Sequence, residues 1–245
     1  MNLLKLGRPL TKFNNKIISI ADDEDTNNEI KTYEVIKNTS GKKYELLPPN
    51  DGRCVLYIAG ASGSGKSYFT AQFLKKYHKK HPKNKIYVFS EGEHDPAFDD
   101  LDIVRIPIND DLLNEPIQYS EFHDCIVVFD DIDSLSGKYK KYVYDLKNKC
   151  AKLGRKDEIS IIMTSHSPCD GVNTKSDLNE SQIIVFFLNN FGRGNKYLCE
   201  SYIGLNKEGI KKIRNLKTRA VVYLKSYPNI ILSDYEIGTL NHYNS

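Results

Sequence analysis

Eight residues, Gly60-Ala61-Ser62-Gly63-Ser64-Gly65-Lys66-Ser67, constrain this chain more than any other stretch. They fit the pattern G-x-x-x-x-G-K-[ST]. An apolar run over residues 54–59 precedes them and reads as a strand. Residues 66–80 follow, with Phe69, Phe73, Leu74 and Tyr77 at helical spacing. Strand, small-residue turn and helix in that order build a phosphate cradle. Small residues let backbone N–H groups turn inward, and the helix N-terminus adds partial positive charge. The four fixed positions arise by chance in a chain of this length on the order of 1% of the time. The strand and helix context lowers that further. Residues 60–67 are therefore expected to hold nucleotide phosphates, with Lys66 on the terminal phosphates and Ser67 on Mg²⁺.

Downstream, apolar strands alternate with helical segments. Strands are expected over 85–89, 103–106, 124–130, 159–164 and 182–188, with a helix over 139–153. Continuous apolar strands separated by helices imply a mostly parallel sheet covered on both faces. Residues 220–224 and 229–232 flank Ser226-Tyr227-Pro228 and predict a closing hairpin. The fold class is thus α/β: a P-loop NTPase with a mostly parallel central sheet flanked by helices, a C-terminal β-hairpin and a short N-terminal extension. Residues 1–50 read as an arm, acidic and polar over 21–31, with short strands conceivable over 32–36 and 43–47. The turn cluster Pro48-Pro49-Asn50-Asp51-Gly52 marks a boundary, leaving 51–245 as the ATPase domain.

Composition narrows the classes. With 245 residues, 40% hydrophobic and 27% charged, the chain is too apolar for a disordered protein. No apolar run reaches the roughly 18–20 residues of a membrane span, and the first residues lack the core of a secretory signal. A soluble intracellular protein is expected. Cys54, Cys125, Cys150, Cys169 and Cys199 are scattered without a CxxC, so zinc is not expected. The net charge of +3 neither demands nor excludes a nucleic-acid partner.

Two further elements carry chemistry. Cys125-Ile126-Val127-Val128-Phe129-Asp130-Asp131 is an apolar strand ending in paired acids. Asp130 is placed to hold Mg²⁺, and Asp131 to polarise an attacking water as general base. The bland alternative makes Asp131 or Asp133 a helix N-cap. At the end of the next apolar strand stand Thr164-Ser165-His166-Ser167-Pro168, where ligands of parallel sheets sit. His166 is the first candidate for sensing the γ-phosphate, with Thr164 and Ser165 next. No Asn-Lys-x-Asp supports guanine recognition, and no arginine cluster suggests a kinase lid.

Residues 60–67, 126–131 and the run from Leu153-Gly154-Arg155-Lys156 into 161–166 together resemble the FtsK–HerA superfamily. Within it the chain is most similar to poxvirus-type genome-packaging ATPases of large DNA viruses and their smaller relatives. The basic start and aromatic-proline turn of 217–228 resemble that family's closing strands, and the resemblance covers roughly 44–237. Asp130-Asp131 stands where many members have Asp-Glu, and His166 where many have Gln.

The resemblance implies an ATP-hydrolysing motor that pulls double-stranded DNA into a preformed capsid. It implies a homo-oligomeric ring, a pentamer or hexamer, working with capsid or portal proteins in a virion, the host-cell cytoplasm or a virus factory. A ring needs an arginine from a neighbouring subunit; Arg155 is the first choice, with Arg193 and Arg219 as alternatives. DNA contact has candidates in the basic stretch 196–219, the lysines of 75–85, the loop 170–180 and Asn190-Phe191-Gly192-Arg193-Gly194. A cellular HerA-like or AAA+ translocase or helicase, a small-molecule kinase and a structural nucleotide-binding subunit are the alternatives.

Overall fold

The computed structural model of the protein describes residues 6–13, 16–21, 35–38, 43–49, 52–92 and 94–245. Its strands are β1 (Leu6–Phe13), β2 (Lys16–Ala21), β3 (Val35–Lys37), β4 (Val55–Ala59), β5 (Lys85–Ser90), β6 (Val104–Pro107), β7 (Cys125–Asp130), β8 (Ile159–Ser165), β9 (Ile183–Phe187), β10 (Ala220–Leu224), β11 (Ile230–Leu232) and β12 (Glu236–Thr239). Its helices are α1 (Lys66–Lys80), α2 (Asp110–Asn114), α3 (Gly137–Leu153), α4 (Gly171–Glu180), α5 (Arg193–Tyr197), α6 (Lys207–Arg214) and α7 (Leu240–Asn244).

Ten strands form one sheet in the order β3-β12-β11-β10-β9-β4-β8-β7-β5-β6. From β9 to β6 every pairing is parallel; from β9 through β10, β11 and β12 to β3 every pairing is antiparallel. The phosphate-loop strand β4 therefore lies between β8 and β9, and the carboxyl ends of β4, β7 and β8 meet on one edge. The β10–β11 hairpin closes the sheet as the sequence predicts, with β12 and β3 extending it.

The strands of the parallel half are apolar throughout because both faces are covered. Along β4, Val55, Tyr57 and Ala59 enter one apolar cluster, while Leu56 and Ile58 enter the other. Val143, Leu146 and Cys150 of α3, Ile210 and Ile213 of α6 and Tyr243 of α7 fill the first face. Phe73, Leu74 and Tyr77 of α1 fill the second. Period-2 alternation thus feeds two cores from one strand.

Three parts differ from the sequence expectation. Residues 170–180 are not a loop: Gly171–Glu180 is helical, with Thr174, Asp177 and Leu178 buried. Its polar composition conceals the helix because Asp177 is buried against a lysine, Lys147. Residues 207–214 form an amphipathic helix, with Ile210 and Ile213 inward and Lys207, Lys211 and Arg214 exposed. The boundary near residue 50 does not separate an arm from the ATPase fold. Val35–Lys37 pairs with β12, Tyr44 and Leu46 are buried in the α1-side core, and Leu46 bridges Thr11 of the β1–β2 hairpin. The expected acidic stretch 21–31 lies outside the described residues apart from Ala21.

Candidate active site

The chain turns sharply out of β4 because glycine stands where the turn leaves no room. A Cβ on Gly60 would fall 2.5 Å from the Ser64 hydroxyl and 2.7 Å from the Phe187 ring. Gly65, the residue capping α1, adopts φ 111°, a conformation glycine reaches without the steric cost of a side chain. Lys66 and Ser67 then open α1, directing its first N–H groups at the loop. Ala61, Ser62, Gly63 and Ser64 complete the turn. The Ser64 hydroxyl is buried with no hydrogen-bond partner among the described residues.

Lys66 is only 6% exposed, and its ammonium is held at three points. Nζ donates to the Gly60 carbonyl at 3.0 Å and lies 3.3 Å from Asp131 Oδ1 and 3.3 Å from His166 Nδ1. His166 Nε2 lies 3.3 Å from the other Asp131 oxygen, closing a triangle of Lys66, Asp131 and His166. Lys66 opens the helix that follows β4, and Asp131 and His166 stand directly after β7 and β8, so the triangle exists only because the sheet order makes those strand ends neighbours.

Asp130 and Asp131 divide the end of β7. Asp130 is the last residue of the strand, and burial pushes its carboxyl above the ordinary carboxylate range, assisted by the charges of Asp131 and Asp95. Thr164 donates to it, and Lys66 opposes the shift. Asp131 sits in the left-handed region at φ 46°, an uncommon conformation for a residue with a side chain. Its N–H donates to Thr164 Oγ1 at 2.7 Å, which holds the turn. Neither acid serves as the N-cap of the bland alternative: Asp131 makes no side-chain cap bond. Asp133 instead reaches across to the next strand, where its Oδ2 accepts from Ser165 Oγ at 3.0 Å and His166 N at 2.9 Å.

From the sequence Asp133 is expected only as a helix cap, and its reach to His166 is not. The acid lies two positions beyond the pair in Asp130-Asp131-Ile132-Asp133, and that spacing was the available signal. Asp131, Asp133 and His166 each bring one ligand-type atom within 4.8 Å of the others. Hydrogen bonds and the Lys66 pair account for that grouping.

The arginines are placed unequally. Arg155 is exposed in the turn before β8, at the strand's amino end, so the length of β8, roughly 20 Å, separates it from the triangle. Within one chain the structure does not bring Arg155 to the site. Arg219 does reach it, with Nη2 donating to the Ser64 carbonyl at 3.3 Å. Arg193, exposed at the start of α5, precedes Gly194, which packs against Pro168 in the loop after β8.

No protein-family model matches the chain. The chain is 38% identical over 199 residues to the uncharacterized protein V3 of Sputnik virophage, covering 80% of each. It belongs to the V3 family.

Solved structures share the fold of this V3 relative at low identity. The DNA-packaging ATPase B204 of Sulfolobus turreted icosahedral virus superposes with TM-score 0.52 and 15% identity, over 73% of this chain and 96% of that one. The genome-packaging NTPase B204 of Sulfolobus turreted icosahedral virus 2, in complex with ATP-gammaS, gives 0.51 and 13%, over 75% and 98%. The pCW3 conjugation coupling protein TcpA, with ATPgS, gives 0.53 and 15%, over 93% and 77%. The V3-family chain thus has the P-loop ATPase fold that its motifs predict. Among the described residues no helix is long and apolar enough to cross a membrane.

Proposed function

We propose that this V3-family protein is an ATP-hydrolysing motor that translocates double-stranded DNA into a viral capsid. The observation that carries the reading is the Lys66–Asp131–His166 triangle at the mouth of the phosphate loop. A fold shared with viral packaging ATPases, one bound to ATP-gammaS, and a virophage relative support the viral role.

In this reading the loop 60–67 binds the triphosphate through its backbone N–H groups and Lys66. A terminal phosphate competes with Asp131 for the Lys66 ammonium. Drawing Lys66 away leaves the Asp131 carboxylate to accept a proton from the attacking water. The water oxygen bonds to phosphorus as the bond to the bridging oxygen breaks, releasing the nucleoside diphosphate. His166, fixed by Asp133 through its backbone N–H, orients Asp131 and reports on the phosphate.

Ser67 at the start of α1 and Asp130 at the end of β7 suit Mg²⁺. Both are oxygen donors, and the raised carboxyl of Asp130 marks a buried acid whose charge a cation would offset. When bound, Mg²⁺ neutralises charge on the phosphate oxygens.

The motor would act as a homo-oligomeric ring, with an arginine entering from the neighbouring copy. Arg193 and Arg155 are the first candidates; Arg219 is exposed as well, but its guanidinium donates to the Ser64 carbonyl of its own loop. Double-stranded DNA would meet exposed cations such as Lys207, Lys211 and Arg214 through phosphate attraction. Such a protein would work in a virion, the host cytoplasm or a virus factory.

Steady-state ATP hydrolysis with Mg²⁺, with and without long duplex DNA, tests the reading. Lys66→Ala should lower turnover at least a hundredfold, and Asp131→Asn should keep nucleotide bound while stopping hydrolysis. Turnover retained in Lys66→Ala would overturn the site assignment. Duplex DNA should stimulate the wild type. A coupling-type DNA translocase is the second reading, favoured by the TcpA likeness over 93% of the chain. A requirement for procapsids in DNA movement decides against it.

A further inference from the structure

A cavity of about 420 Å³ lies directly beside the phosphate loop, on the side away from the Lys66–Asp131–His166 triangle. Ser64 and Gly65 of the loop, the exposed Tyr68, and Phe187, Ala220 and Val222 of β9 and β10 line it. Its size falls in the range of small-molecule pockets, roughly 300–1,000 Å³, and its lining mixes aromatic surface with a polar rim.

The sheet order gives this cavity a direction. Asp130, Asp131 and His166 stand on β7 and just after β8, on one side of β4, and mark where the terminal phosphate must sit. A triphosphate running along the loop from there points its other end across β4 towards β9 and β10. The cavity opens on that side.

Its far wall comes from an unexpected part of the chain. Residues 43–46 precede the phosphate-loop fold, yet Tyr44 and Leu46 are buried and line the cavity. Two ion pairs strap this segment down: Lys43 to Asp234 at 2.9 Å, and Glu45 to Lys76 of α1 at 2.9 Å. The Tyr44 N–H donates to the Asp234 carbonyl at 2.7 Å, and the Glu45 N–H to Thr11 Oγ1 at 3.0 Å.

We infer that the cavity takes the base and ribose of the nucleoside triphosphate, and that residues 43–46 of the N-terminal segment are its closing wall. The N-terminal segment is then part of the nucleotide site, and contacts on the β1–β2 hairpin, which bridges Leu46 through Thr11, would be felt as a change in nucleotide affinity. The inference rests on the phosphate-loop reading above.

Calorimetric binding of two probes to the full-length protein separates them: ATP, and inorganic tripolyphosphate, which has no nucleoside. Ala220→Trp, which fills the cavity, should weaken ATP at least tenfold and leave tripolyphosphate within twofold. Glu45→Lys sets two cations against each other at the strap and should weaken ATP about threefold to fivefold. The exchange Glu45→Lys with Lys76→Glu should restore it. Glu45 is exposed, whereas Lys76 and Ala220 are half-buried and Ala220 packs against the α1-side core, so circular dichroism and the retained tripolyphosphate affinity verify that each variant is folded. ATP affinity within twofold of wild type in both Ala220→Trp and Glu45→Lys would overturn the pocket assignment alone. A wild-type protein that binds neither probe would overturn the phosphate-loop reading, and this inference with it.

Discussion

Thr164 on β8 donates its hydroxyl to Asp130 on β7 at 2.8 Å. The same oxygen accepts the Asp131 N–H at 2.7 Å, so one side chain fixes both acids at the end of the neighbouring strand. It offsets part of the desolvation that raises Asp130, and it pins the left-handed turn at Asp131.

Thr164→Val keeps the shape and removes that link. The Asp131 N–H loses its acceptor, a cost of about 1–3 kcal/mol. Turnover should fall roughly tenfold to a hundredfold, with ATP affinity changed less. Unchanged kcat in a steady-state assay would show that the acids hold their places without the hydroxyl.

Asp133 acts on His166 through the backbone, so its removal should loosen the ring without touching the phosphate loop. Asp133→Ala is expected to lower kcat about tenfold, on the order of 1.4 kcal/mol, with little effect on nucleotide affinity. Asp133→Asn, which keeps one carbonyl acceptor, should recover part of the loss. Equal kcat for all three proteins would remove Asp133 from the site.

Behind Asp133 lies a buried ion pair that the sequence did not suggest. Lys147 of α3 donates to both oxygens of Asp177 on α4, at 2.6 and 2.7 Å, with the Tyr144 ring 4.3 Å from the ammonium. Burial disfavours charge on both partners, lowering the lysine and raising the aspartate. Lys147→Met alone should destabilise the fold by about 3–5 kcal/mol, because Asp177 is left charged and unpaired. Lys147→Met with Asp177→Leu should recover most of that. Urea denaturation measures both, and equal losses in the single and double variants would refute the pairing argument.

Alkaline pH should weaken the fold through its cysteines. Burial pushes Cys125, Cys150 and Cys199 each up to about 12, against about 8.5 in an unfolded chain. Between those values the folded protein keeps protons that the unfolded chain releases. Stability therefore falls as pH rises, by up to about 1.4 kcal/mol per pH unit for each thiol. Denaturation midpoints measured from pH 7.5 to 10.5 should decline, and Cys150→Ala should flatten the decline. A level profile would contradict the assigned burial.

Much of this architecture was legible in the sequence because it is written locally. The phosphate loop needs glycine at Gly60 and Gly65 for reasons of space and dihedral angle, and α1 begins and ends where the pattern places it. The buried strands announce themselves as unbroken apolar runs because helices cover both faces. The hairpin at 220–232 follows from its turn residues.

Other parts depend on partners far away along the chain. The helix Gly171–Glu180 has a polar sequence whose one buried acid makes sense only beside Lys147, thirty positions earlier. Residues 43–46 carry no motif, yet they wall a cavity because Asp234 and Lys76 hold them there.

By itself the sequence determined the loop, the paired acids, the polar end of the strand at 159–165 and the α/β class, since each rests on spacing within one segment. Only the tertiary structure decided which residues meet. It set β4 between β8 and β9, closed Lys66, Asp131 and His166 into one triangle, turned Asp133 towards His166, brought Arg219 to the loop and left Arg155 at the opposite end of β8. Strand order is a property of packing two cores around one sheet, and no local pattern encodes which strand ends up beside which.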